Sequence, residues 1–247
     1  MAFVNRARWV GLSLWAVLAT GCGIGEISGS GNSVEEERRT GDFVALEVSN
    51  GLTATIVVDP TKPTAVRVVG DDNLLRYVHT DSNGETLSIY FDEKNEFGRG
   101  WSSPNPLRVE VTVPRMEDID CSGGGRVELS GTISVPSLRI DTSGGSKLKA
   151  KGLAVERLSL DISGGGEAQL EGQATELTST TSGGSSLHAR GLSVRKASLD
   201  SSGGGVTTLQ VSDSLRVSAS GGSKLTIVGR PTVLEKELSG GSTLDFE

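Results

Sequence analysis

Ser-Gly-Gly recurs along this chain at Ser122, Ser143, Ser163, Ser182, Ser202, Ser220 and Ser239, with steps of 21, 20, 19, 20, 18 and 19 residues. A period near 20 residues marks a repeat architecture, in which one structural unit stacks on its copies. Each unit has the same internal grammar. Leu138-Arg139-Ile140-Asp141-Thr142 and Leu158-Ser159-Leu160-Asp161-Ile162 alternate apolar and polar residues up to the bend. The alternation resumes after it, and a second glycine (Gly131, Gly152, Gly172, Gly191, Gly229) closes many units. Period two means a strand with one buried face. No helical pattern of useful length separates the strands, so the spacing predicts an all-β, single-domain β-helix, a solenoid of roughly 20-residue coils. At ~3.3 Å per residue such a coil has a perimeter near 66 Å, which suits three sides. The crossover preference favours right-handed winding.

Stacking turns the repeat into columns. Val127, Leu148, Ala168, Leu187, Thr207, Leu225 and Leu244 form one inward column. Leu129, Ala150, Leu170, Ala189, Leu209, Ile227 and Phe246 form a second, with large residues set against small ones as a narrow core requires. Phe246, at the end, reads as a plug over the last coil. Just before the bends runs a third column, Cys121, Thr142, Ile162, Thr181, Ser201, Ala219 and Leu238, which makes Cys121 a buried core thiol.

This grammar explains the composition. The 34 glycines would otherwise suggest low complexity, but proline numbers only seven and apolar residues still supply 35%. No Gly-x-x-x-x-Gly-Lys is present and no bend precedes a helix, so a nucleotide loop is excluded. The repeated serines sit in no Gly-x-Ser-x-Gly, and a catalytic serine is normally unique. A net charge of −7 without a basic stripe argues against nucleic acid, and two distant histidines, His79 and His188, cannot build a multi-histidine metal site. The expectation is no enzyme and no cofactor. One column invites a cation. Asp120, Asp141, Asp161 and Asp200 occupy equivalent outward positions, about 4.8 Å apart where adjacent. They predict either carboxylates bonded to their own bends or a Ca²⁺ ladder.

The ends differ from the repeat. Arg6 and Arg8, an apolar run from Trp9 to Ala19, and Thr20-Gly21-Cys22 read as a secretory leader, residues 1–21. Leu18-Ala19-Thr20-Gly21-Cys22 looks like a lipobox, which predicts lipidation of Cys22 and attachment to a membrane. Removal of the two arginines would take the charge from −7 to −9. Gly23 carries no aspartate-type retention signal, which favours the outer membrane. Residues 22–33 read as a flexible tether, and 34–247 as the folded domain: an irregular β part, 34–114, and the regular repeats, 115–247. The segment Asp92 to Pro106 is the one long loop, and Phe97 and Trp101 within it are the candidate binding contacts.

Several stretches carry a resemblance: Gly29-Ser30-Gly31-Asn32, Phe43 to Gly51, Asp71-Asp72-Asn73-Leu74-Leu75, Val109 to Pro114 and Ile119 to Gly125. With the repeat and the lipobox, the chain resembles the head GIN domain family of bacterial auto-transporter adhesins over about residues 34–239. The family's bends commonly read Ser-Gly-small-Gly-Asp, and here the Asp is missing. The resemblance implies a pectin-lyase-like β-helix, an envelope location and an adhesive role, and it supplies no catalytic residue. Two further readings stay open: a glycan-binding or polysaccharide-active protein, and a structural envelope spacer. A carbohydrate site would need Asp92, Glu93, Trp101 and the aspartate column to converge on one cleft. A flat exposed column would favour adhesion to a protein or glycan ligand.

Overall fold

The computed structural model describes residues 27–92 and 100–247. The leader, Cys22, Glu93 and Phe97 lie outside them. The chain is a β-solenoid whose coils stack by parallel ladders. On one face, Asp118–Cys121, Ser137–Thr142 and the later halves of Lys147–Ile162, Glu167–Thr181, Ser186–Ser201 and Val206–Ala219 pair in sequence order and end at Thr232–Leu238. On the second face, Arg126–Gly131, the earlier halves of the same long strands, Lys224–Val228 and Thr243–Phe246 do likewise. Ladder register shifts at the corners between the two faces, where a short third side turns the chain.

The predicted columns hold. Cys121, Thr142, Ile162, Thr181, Ser201, Ala219 and Leu238 are successive ladder partners. So are Val127, Leu148, Ala168, Leu187, Thr207, Leu225 and Leu244. Cys121 is fully buried, and desolvation raises its thiol pKa to about 11, as a core thiol requires. The bends at Ser122, Ser143, Ser163 and Ser239 are closed by a backbone hydrogen bond from the residue three on, for example Gly166 N to Ser163 O at 2.9 Å. The residue three after the bend serine alternates between coils: Gly125, Ser146, Gly166, Ser185, Gly205, Ser223. At the serines the hydroxyl donates back to the bend carbonyl, as Ser146 Oγ does to Ser143 O at 2.6 Å. At Gly166 a Cβ would come within 2.8 Å of Thr142 O, so no side chain fits.

The N-terminal part departs from the expected order of coils. Thr86–Phe91 and Arg108–Val113 stack outside Ala45–Val48 and Thr53–Val58, which in turn stack on Asp118–Cys121 and Arg126–Gly131. The coil earliest in sequence is therefore interleaved between two later ones. Antiparallel strands finish this end: Val78–Ser82 on the first face, then Ala65–Asp71 and Ser33–Arg38 on the second. Phe43, Leu52, Leu74, Leu75, Phe91 and Met116 fill it, each at most 3% exposed. Within the stretch 22–33 expected as a tether, Ile27–Ser28 is a strand paired with Trp101–Ser102. The opposite end is open. Phe246 is 45% exposed and does not plug it, and Val233 and Leu234 are exposed beside it. At the position stacked on buried Val217, the last coil carries an exposed lysine, Lys236.

Candidate binding surfaces

The aspartate column lies on the first face, where Glu47, Asp118, Asp120 and Asp141 line a small pocket of about 130 Å³. It is longer than the repeat alone showed: Ser88, Glu47, Asp120, Asp141 and Asp161 are successive partners, followed by Thr180, Asp200, Ser218 and Glu237. Glu47 escaped the sequence reading because the non-sequential order of the first coils hides its neighbours. Like charges stacked at one strand spacing repel. Arg139 answers part of this, its Nε donating to Asp141 at 2.7 Å and its Nη2 at 3.2 Å. Ser88 Oγ donates to Glu47 at 2.7 Å. The compensation for Asp141 is thus an arginine on its own strand, where bonding to the Gly-Gly bend was expected. Desolvation, then repulsion from Asp141, raises the pKa of Asp118 and of Asp120. Among the described residues no group of three or more His, Cys, Asp or Glu is placed to hold a metal ion.

Beside this column run Ser159, Thr178 and Ser198, also outward and in register. Together they make an in-register lattice of hydroxyls and carboxylates held by continuous ladders. The second face carries staples between neighbouring coils: Lys147 to Glu167 at 2.6 Å and Lys151 to Glu171 at 3.4 Å. Such exposed pairs contribute little each.

Trp101 does not join the acids. It is half-buried and packs on Phe91, ring centroids 6.0 Å apart. Phe91 in turn meets Tyr77 at 5.7 Å. The aromatic residues concentrate at the capped end, where His79 also stacks on Tyr90 at 5.0 Å. The convergence that a carbohydrate cleft would need is therefore missing for Trp101 and the column.

Sequence reasoning missed a groove on the short third side, about 530 Å³ in volume. Val155, Ala174, Val194 and Val211 form its floor, and its charged lining residues are Arg195 and Arg230. Arg195 is paired with Asp213 at 2.9 Å. The signal was present as Ala154, Gln173 and Ser193, small or uncharged residues one or two positions after the closing glycines, but a corner has no fixed period from which to read concavity.

The profile of the family described as "Putative auto-transporter adhesin, head GIN domain" matches residues 42–231. No curated protein matches the chain. Among solved structures, a "putative adhesin" from Bacteroides fragilis superposes with a TM-score of 0.78 at 19% identity, over 89% of this chain and 98% of that one. A "putative lipid binding protein" from Parabacteroides distasonis gives 0.71 at 19% identity, over 90% and 100%. A "putative adhesin" from the same organism gives 0.70 at 19% identity, over 90% and 100%. These likenesses establish the shared fold. No helix among the described residues is long and apolar enough to cross a membrane.

Proposed function

Because the chain belongs to the auto-transporter adhesin, head GIN domain family, we propose that it is a non-enzymatic, lipid-anchored protein of the bacterial cell envelope that adheres through the outward faces of its solenoid. The observation that carries this reading is the exposed, in-register lattice of Ser159, Thr178 and Ser198 beside Asp161, Thr180 and Asp200. A rigid, repeating polar surface suits a repeating protein or glycan partner. Cys22, after Leu18 to Gly21, is the proposed acylation site, and Gly23 favours the outer membrane.

Adhesion is tested by retention of the purified chain on immobilised envelope and glycan preparations. The double variant Thr178→Arg/Thr180→Arg should lose retention by about tenfold while melting normally. Equal retention of variant and parent would remove the first face from the function. For the anchor, labelling with a palmitate analogue should vanish in Cys22→Ala, and unchanged labelling would sink it.

A second reading has one observation in its favour. In an acidic chain, the groove over Val155, Ala174 and Val194 bears only arginines as charged lining, which suits an elongated anionic molecule. The neighbour described as lipid-binding shares the fold. Loss of retention in Arg230→Glu, with the Thr178/Thr180 variant unaffected, would favour it.

A further inference from the structure

The point at which the chain enters the solenoid is pinned at the capped end. Ile27 N donates to Gly100 O at 3.1 Å and Gly29 N to Ser102 O at 2.7 Å. Ser30 Oγ donates to Asp72 at 2.6 Å, Asn32 Nδ2 donates to the same carboxylate at 2.9 Å, and Ser30 N donates to Asn73 Oδ1 at 2.9 Å. Gly29 lies so close to buried Asp71 that a Cβ there would overlap its carboxylate. Cys22 precedes Ile27 by five residues, which span at most ~18 Å when fully extended. A lipid on Cys22 would therefore keep the capped end within ~18 Å of the bilayer.

The side chains at that end fit such a surface. Ile27, Tyr77 and Trp101 are each half-buried against the core, leaving part of each exposed. Arg76 lies over the Tyr77 ring at 4.9 Å and donates to its hydroxyl at 3.1 Å. Tryptophan and tyrosine favour the headgroup region, where an apolar body and a polar tip are both satisfied, and arginine snorkels there. Of the acids at the same end, Asp72 accepts from Ser30 and Asn32, Asp81 accepts from the Tyr90 hydroxyl at 2.7 Å, Glu35 and Glu36 pair with Arg67 and Arg38, and Glu37 is exposed. The contact is thus interfacial in kind and not a polybasic attraction. The regular repeats carry no such aromatic group.

Resting on the lipid-anchor reading, we infer that the capped end sits on the bilayer, with Trp101, Tyr77 and Ile27 at headgroup level, and that the solenoid stands end-on. Nine parallel strands lie along the first face from Thr86–Phe91 to Thr232–Leu238. Eight spacings of ~4.8 Å raise the open end about 38 Å above the cap. The polar lattice then faces sideways, clear of the membrane.

Trp101 is a ready reporter, because the other two tryptophans, Trp9 and Trp15, fall in the leader. The full chain, acylated in bacteria, is reconstituted into phosphatidylethanolamine–phosphatidylglycerol vesicles with and without brominated acyl chains. Mass spectrometry of the N-terminal peptide reports the state of Cys22. We expect Trp101 emission to fall about twofold in the brominated vesicles, and a fluorophore on Ser242→Cys at the open end to be unaffected. Acylated Cys22 with unquenched Trp101 overturns the seating and leaves the anchor standing. Quenching at both positions means a molecule lying on its side and also overturns it. An unacylated Cys22 removes the anchor reading, and the seating with it.

Discussion

At Gly172 the backbone φ is +134°, and the space a Cβ would take is filled by the carbonyl oxygen of Leu153 in the coil below. The conformation and the contact both exclude a side chain. Gly172→Ala should destabilise by more than about 3 kcal/mol, read as a lowered midpoint in urea. Other residues leave stability unused. Thr142 is 1% exposed, and its Oγ1 is buried without a hydrogen-bond partner, stacked between Cys121 and Ile162. A buried hydroxyl with no partner costs more than it contributes. Thr142→Val, nearly the same shape, should stabilise by about 1 kcal/mol and raise Tm by roughly 2–4 °C in a calorimetric scan. A lowered Tm would mean that the hydroxyl finds a partner in solution.

Single strands bring together what the sequence spreads over 20 residues. Asp120 lies between Glu47 and Asp141 because three strands share one register. Folding raises its pKa above the ordinary 3.8, with desolvation the larger cause. A raised carboxyl favours folding in its protonated form. Its contribution is full below 3.8, is lost as pH rises through the folded value, and at neutral pH the ionised group opposes folding. Asp120→Asn should therefore raise the midpoint of unfolding at pH 7 and leave it nearly unchanged below pH 3.8, measured by paired urea titrations. Equal gains at both pH values would remove the electrostatic cause. In the repeats the strands were legible down to register, because period two and a fixed bend leave each residue one face to choose. The first hundred residues were not. Their strands alternate too, but nothing in alternation says that Thr86–Phe91 must pass outside Ala45–Val48. The contacts of Trp101 were hidden for the same reason: they depend on Phe91 and Ile27, far away in sequence. Cys22 and Phe97 lie outside the described residues.

Across the whole molecule the two ends are unlike. The capped end closes its sheets with antiparallel strands, whereas the open end presents Thr232–Leu238 and Thr243–Phe246 as bare edges. Bare edges beside exposed Val233, Leu234 and Phe246 invite pairing with another molecule. Lys236 stands in the inward column above Val217, so another coil laid on this end would bury a charge. Lys236→Leu should convert a monomeric population into end-to-end oligomers at micromolar concentration, visible by sedimentation velocity. A variant that stays as monomeric as the parent would show that Glu235 and Glu237 guard the edge without it.

The interleaved first coil has a mechanical consequence. Tension applied at the open end peels coils one after another, because each is joined to the stack mainly through ladders with its immediate neighbours. Peeling proceeds from Thr243–Phe246 toward Asp118–Gly131. There the order of breakage changes. Ala45–Val58 is gripped from both sides, by the 86–113 segment and by the 118–131 segment, and its own chain leaves through the antiparallel strands beyond. Force must open two ladders together to free it. The repeats yield stepwise under load, and the end nearest Cys22 is the grip that lets go last.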